Sequence, residues 1–128
     1  MKQGESEKLE CYVLFTKTTL KHCIFRFIDS ELQHVYVMML SPGGQFWTII
    51  DPVKSHIKID TATIDEYPTP RDYDNDAVVL PVNIMINKNR NIYGFGLFYC
   101  VTVVKALLGV KKRSIMTPFQ LYKYLKEV

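Results

Sequence analysis

The stretch HVYVMMLSPGGQFWTIID, His34 to Asp51, decides the fold. HVYVMML is a continuous run of β-branched and apolar residues, the pattern of a central strand covered on both faces. SPGG is a strong turn signal, because proline fixes one φ and the glycines accept positive φ. FWTIID then returns to strand formers. The two runs predict an antiparallel hairpin, His34–Leu40 beside Phe46–Asp51. Asp51-Pro52 is expected to end its second strand, since proline restricts the residue before it and cannot donate to a ladder.

The same pattern extends outward. Upstream, CYVLFT (Cys11–Thr16) and HCIFRFI (His22–Ile28) read as strands. Downstream, HIKID (His56–Asp60) alternates as a further strand. DEYPTPRDYDND, Asp65 to Asp76, is acidic, contains Pro68 and Pro70, and reads as an exposed excursion. VVLPVNIMI (Val78–Ile86) is again β, with Pro81 marking an edge or a bulge, and NKNRN (Asn87–Asn91) is a turn. The period then changes. Val101, Val104 and Leu108 recur at helical spacing between Leu97 and Gly109, and Gly109 is a good stop. Thr117-Pro118 opens a second helix, FQLYKYLKEV, with Leu121 and Leu125 one turn apart. The expected fold is α+β: a mostly antiparallel sheet of five to six strands packed with two C-terminal helices. Residues 1–10 are expected to be a flexible leader and 11–128 a single domain.

Composition narrows the function classes. The 128 residues are 48% hydrophobic and 23% charged, with eight Tyr and seven Phe, enough to build one core without disulfide or metal staples. The net charge of +3 is dispersed except at Lys111-Lys112-Arg113, which argues against nucleic-acid binding. Three cysteines, Cys11, Cys23 and Cys100, form neither a disulfide framework nor a zinc motif, so no metal or cofactor is expected. No signal-peptide pattern and no apolar run of membrane-spanning length is present. Synthesis in a reducing cytoplasm is the expectation.

Cys100 stands where the Gly- and aromatic-rich segment NIYGFG gives way to the apolar helix. In the first turn of a helix, free N–H groups and the helix dipole favour a thiolate. Such a nucleophile needs a base, and the base needs a group that orients it. His34 and Asp51 lie at the far ends of the hairpin strands, so both fall at one edge of the sheet. A Cys100 helix packed across that sheet brings its N-terminus to His34. His22 and His56 are weaker alternatives. The plainer assignments also stand: a buried core cysteine, a surface histidine and a turn-forming aspartate before proline.

The ordered set of motifs resembles small phage-encoded proteins of the permuted papain-like group, relatives of the NlpC/P60 cysteine hydrolases, in which the histidine strand precedes the cysteine helix. The residues that carry the resemblance are His34 opening a β-run, Trp47, Asp51 and Pro52 at a strand end, and Cys100, Val101, Lys105, Leu108 and Gly109 in the helix. Thr117, Pro118, Gln120, Leu121 and Tyr122 at the second helix start complete it. The resemblance implies Cys100 as nucleophile, His34 as base, Asp51 as its orienter and the Cys100 backbone N–H as one oxyanion donor. It implies a thiol peptidase or amidase, with a virion protein or a peptidoglycan peptide as substrate and virion association as a further expectation. A non-catalytic virion or assembly protein on the same fold is the alternative. The tyrosines and the acidic excursion suit contacts of that kind.

Overall fold

The computed structural model describes residues 8–17, 32–53, 56–85 and 99–127. In chain order these form β1 (Lys8–Lys17), β2 (Leu32–Leu40), β3 (Phe46–Val53), β4 (His56–Thr63), α1 (Pro70–Tyr73), β5 (Val78–Met85), α2 (Tyr99–Leu108) and α3 (Pro118–Glu127). The five strands make one sheet in the order β4-β3-β2-β1-β5, with every neighbouring pair antiparallel. The α+β class and the antiparallel sheet followed by two C-terminal helices are as expected. The expected strand His22–Ile28, the Asn87–Asn91 turn and Leu97 lie outside the described residues.

The hairpin at the centre forms as its sequence requires. β2 and β3 pair from Leu40 opposite Trp47 to Val37 opposite Ile50. Gly44 takes φ 71° in the connecting turn and donates its N–H to the Ser41 carbonyl at 2.8 Å. A side chain there would be strained in the left-handed region. The Ser41 hydroxyl accepts from the N–H groups of Gln45 and Phe46, which seals the turn.

Period-2 alternation sorts the core onto two faces. Cys11, Val13 and Phe15 of β1 join Val35 and Val37 of β2 beneath Cys100, Val101 and Val104 of α2 and Leu121 of α3. On the opposite face, Leu14, Tyr36, Met38, Trp47, Ile49, Ala62 and Ala77 cluster, with Tyr67 and Tyr73 packed against them. A sheet covered on both sides explains why β2 reads as an unbroken apolar run.

Three expectations are corrected. Lys8 to Glu10, assigned to a flexible leader, are strand residues paired with Asn83 to Met85, so β1 begins three positions before Cys11. β3 does not stop at Asp51 but runs through Pro52 to Val53, paired with β4. The proline is tolerated because β2 pairing ends at Ile50, leaving a ladder on one side only. The segment after β4 is not a wholly exposed excursion. Pro70 and Ala77 are buried, and the Trp47 indole N–H donates to the Tyr67 carbonyl. Thr69 and Asp72 form a reciprocal cap for α1, the Asp72 carboxylate accepting from the Thr69 N–H at 2.8 Å and its hydroxyl at 2.7 Å. Asp65, Glu66, Asp72 and Asp76 remain exposed, as do Pro68, Thr69, Arg71 and Asn75.

The helix ends follow their capping residues. Gly109, at φ 75°, closes α2, with Val110 N–H donating to the Lys105 carbonyl and Gly109 N–H to that of Ala106. The Lys105 ammonium then ties the connection by donating to the carbonyls of Lys112 (2.6 Å) and Ile115 (2.9 Å). At the start of α3 the Thr117 hydroxyl accepts from Gln120 N–H, and the Gln120 side chain accepts from Thr117 and Met116 N–H. The helices lie against the β2 side of the sheet, and this placement delivers Cys100 to the site.

Candidate active site

His34 lies near the start of β2 and Asp51 near the end of β3. His34 shares a face with Tyr36, and Asp51 shares the same face with Ile49 and Trp47, so both project from the tyrosine side of the sheet. They sit beyond the last β2–β3 rung, Val37 opposite Ile50, where the backbones no longer hold one another. A side-chain bond closes the gap instead: His34 Nε2 lies 2.6 Å from Asp51 Oδ1. That is short even for a charge-assisted pair. Each side chain is 27% exposed, so the pair is partly desolvated yet open to solvent.

The charge state of His34 follows from opposing effects. Burial is the largest and favours the neutral ring. The Asp51 hydrogen bond, the hydrogen bond and charge of Cys100, and the charge of Asp51 together outweigh it, raising His34 to about 9. At neutral pH the ring is therefore an imidazolium. With Nε2 committed to Asp51, Nδ1 is the nitrogen left to exchange a proton with the thiol.

Cys100 is the second residue of α2, which packs on β2 and β3. Its backbone N–H is one of the first-turn donors that the helix itself does not use. Cys100 lies on the aliphatic face, in the cluster with Val35, Val37 and Val104, and is 5% exposed. Of the three residues singled out in the sequence, His34 and Asp51 are hydrogen-bonded, while Cys100, the most enclosed, lies in the cluster of the other face and adds to the shift of His34. His56 opens β4, is exposed and hydrogen-bonds to none of them. His22 lies outside the described residues.

Sequence reasoning passed over the cleft that the pair opens into. It has a volume of about 640 Å³, and Tyr36, Tyr73, Asp74 and Asp76 complete its walls beside His34 and Asp51. The Tyr36 hydroxyl donates to Asp74 Oδ2 at 2.8 Å, and the Tyr36 and His34 rings stack with centroids 6.0 Å apart. Burial first, then this bond to Asp74, pushes the Tyr36 phenol far above its ordinary range, so it stays a donor. Tyr36 was legible, since position i+2 on a strand shares the face of His34. Asp74 was not, because nothing local says that residues 64–77 fold back over the sheet.

Among the described residues, no group of three or more His, Cys, Asp or Glu side chains is arranged to hold a metal ion. No helix among them is long and apolar enough to cross a membrane. No family model, curated protein or solved structure matches this chain.

Proposed function

We propose that this chain is a thiol hydrolase of the permuted papain-like kind, cleaving an amide or ester through a covalent acyl-Cys100 intermediate. One observation carries the proposal: His34, which Cys100 as well as Asp51 holds above its ordinary pKa, is bonded to Asp51 at 2.6 Å. The order of the parts, a histidine strand before a cysteine helix, is the order the resemblance requires.

The chemistry follows from the raised His34. Attack starts from the ion-pair state, a Cys100 thiolate beside the His34 imidazolium whose charge Asp51 balances. Sγ attacks the substrate carbonyl carbon, and the resulting oxyanion is met by the Cys100 N–H at the helix start. The tetrahedral intermediate collapses, the C–N or C–O bond breaks, and the imidazolium gives its proton to the leaving amine or alcohol. Water then attacks the thioester, losing a proton to the now neutral His34, and Cys100 is released. A peptide or peptidoglycan-type amide fits this chemistry. Virion association belongs to the same proposal.

The test is intact-mass labelling with iodoacetamide near neutral pH, resolved by site. Cys100 should react ahead of Cys11, whose thiol burial pushes up to about 12. If Cys100 is the slowest thiol, the nucleophile assignment fails.

One observation favours a second reading, a non-catalytic assembly module on the same fold. Cys100 is 5% exposed within an aliphatic cluster, the setting of an inert core cysteine. On that reading His34 and Asp51 are a structural tie between two strand ends, and iodoacetamide leaves Cys100 unmodified in the folded protein.

A further inference from the structure

β4 pairs with β3 on one side, and no strand among the described residues lies along its other side. The phase of its backbone follows from one bond just past its end. The Ile64 N–H donates to the Gln45 carbonyl at 2.9 Å, and that pair continues the β3–β4 register. Hydrogen-bonded and non-hydrogen-bonded pairs alternate along an antiparallel ladder. His56, Lys58, Asp60 and Ala62 therefore turn their N–H and C=O groups to β3, and Ile57, Ile59 and Thr61 turn theirs outward. Pro52 agrees with this phase, since it lies opposite Ile57 and has no N–H to give. The outward edge is regular and free of proline, and Ile59 on it is 62% exposed. Phe46, 50% exposed, and half-buried Ile50 share its face of the sheet. Soluble proteins commonly blunt such an edge with proline, a bulge or an unbalanced charge. The opposite edge, β5, has Pro81, and α3 packs on that strand. On β4 the lysine, Lys58, is offset by Asp60 at 3.6 Å on the same face.

We propose that β4 is a dimer edge: two copies of this chain pair antiparallel through it, about a two-fold axis at Ile59, into one continuous sheet. Charge complementarity selects that register. Outward-facing residues must meet outward-facing residues, so the axis falls on a residue and not between two. An axis at Lys58 sets lysine against lysine, and one at Asp60 sets aspartate against aspartate. An axis at Ile57 sets Lys58 against His56, and one at Thr61 sets Asp60 against Ala62. At Ile59, each Lys58 lies opposite Asp60 of the second copy, in a non-hydrogen-bonded pair where side chains come closest. The two Ile59 side chains then meet on the other face and leave water, with Ile57 opposite Thr61. Both copies use the same patch, so the contact closes on itself. Pro81 on the far edge opposes the addition of a third copy. The proposal stands whether or not Cys100 is a nucleophile.

Sedimentation equilibrium of the full chain tests this, under a reductant that prevents intermolecular disulfides. A monomer–dimer equilibrium with no larger species is expected. Amide hydrogen exchange followed by NMR then locates the contact. The N–H groups of Ile57, Ile59 and Thr61 should gain protection only as the dimer forms, whereas those of Lys58, Asp60 and Ala62, bonded to β3, should be protected at every concentration. Lys58→Asp should raise the dimer dissociation constant by about tenfold, because both cross-copy pairs turn repulsive, and Asp60→Lys should do the same. The double variant Lys58→Asp/Asp60→Lys should return it to within about twofold of the wild type, a recovery expected where 58 faces 60. Ile59→Lys, at an exposed position, should abolish the dimer by opposing two ammonium groups at the axis. Circular dichroism checks that each variant is folded, and the wild-type exchange pattern decides the matter if one is not. A chain that stays monomeric at millimolar concentration overturns the proposal. So does protection of the three outward amides in the monomer, which would mean that the edge is covered from within the chain. A dimer indifferent to these substitutions, or oligomers that grow without limit, overturns it as well.

Discussion

Cys11 and Cys100 belong to one aliphatic cluster and are almost equally enclosed, at 1% and 5% exposed. Their surroundings differ in two respects. Cys11 lies mid-strand in β1, between β2 and β5, and nothing near it offsets the cost of a buried thiolate, so burial alone drives its pKa to about 12. Cys100 lies in the first turn of α2, and its thiol interacts with a histidine that Asp51 anchors. Burial by itself therefore says little about what a cysteine does. On the proposed reading, the neighbouring charge and the helix end decide.

The sharpest way to break that comparison is His34→Ala. If the imidazole is what distinguishes the two thiols, this change lowers Cys100 alkylation or turnover by ~10²–10⁴-fold, the usual contribution of acid–base catalysis, and leaves Cys11 unchanged. Site-resolved alkylation rates before and after the substitution decide it. A Cys100 rate that does not move removes His34 from the mechanism.

Next in size is the alkaline limb. Hydrolysis needs the imidazolium to protonate the leaving group, so turnover should fall by tenfold per pH unit above about 9. Iodoacetamide alkylation has no leaving amine to protonate and should not fall over the same range. Parallel pH profiles of the two reactions check this. A common decline would point to unfolding instead of His34 titration.

Asp51→Asn should cost less than His34→Ala, because the ring remains and only its anchor and charge balance weaken. The same variant sharpens a stability argument. His34 is raised from an ordinary value near 6.5 to about 9. Its contribution to stability is thus complete below pH ~6.5 and is lost as pH rises through about 9. Urea midpoints measured from pH 6 to 10 should decline across that window in the wild type. In Asp51→Asn, with the main raising partner gone, the decline should be smaller.

The smallest effects are expected away from the site. His56→Ala removes an exposed side chain at the start of β4 and should leave Cys100 reactivity within about twofold and stability within ~0.5 kcal/mol. Cys11→Ala should cost roughly 1 kcal/mol through the small cavity it leaves, with the Cys100 rate unchanged. Loss of Cys100 reactivity in Cys11→Ala would mean that the two thiols are coupled through the shared core, and the contrast between them would fail.

The amino-acid sequence by itself determined the pieces that depend on neighbours a few positions apart. The Pro-Gly-Gly turn set the β2–β3 hairpin, and with it the placing of His34 and Asp51 at one sheet edge. Gly109 and the Thr117–Gln120 pair set the helix ends, and the change from period 2 to period 3.6 set the order of sheet and helices. Those are local preferences of the backbone, readable wherever they occur. Tertiary structure alone decided the rest. Lys8 to Glu10 become strand only because β5, more than seventy residues later, supplies a partner. Pro52 stays in β3 only because β2 has already turned away. Asp74 reaches Tyr36, 38 positions distant, only because Trp47 and Tyr67 hold the intervening segment against the sheet. Contacts of that range leave no periodic trace in the chain, since each depends on where a separately formed element comes to rest. That is why the His34–Asp51 pair was legible and the acidic, tyrosine-walled cleft beside it was not.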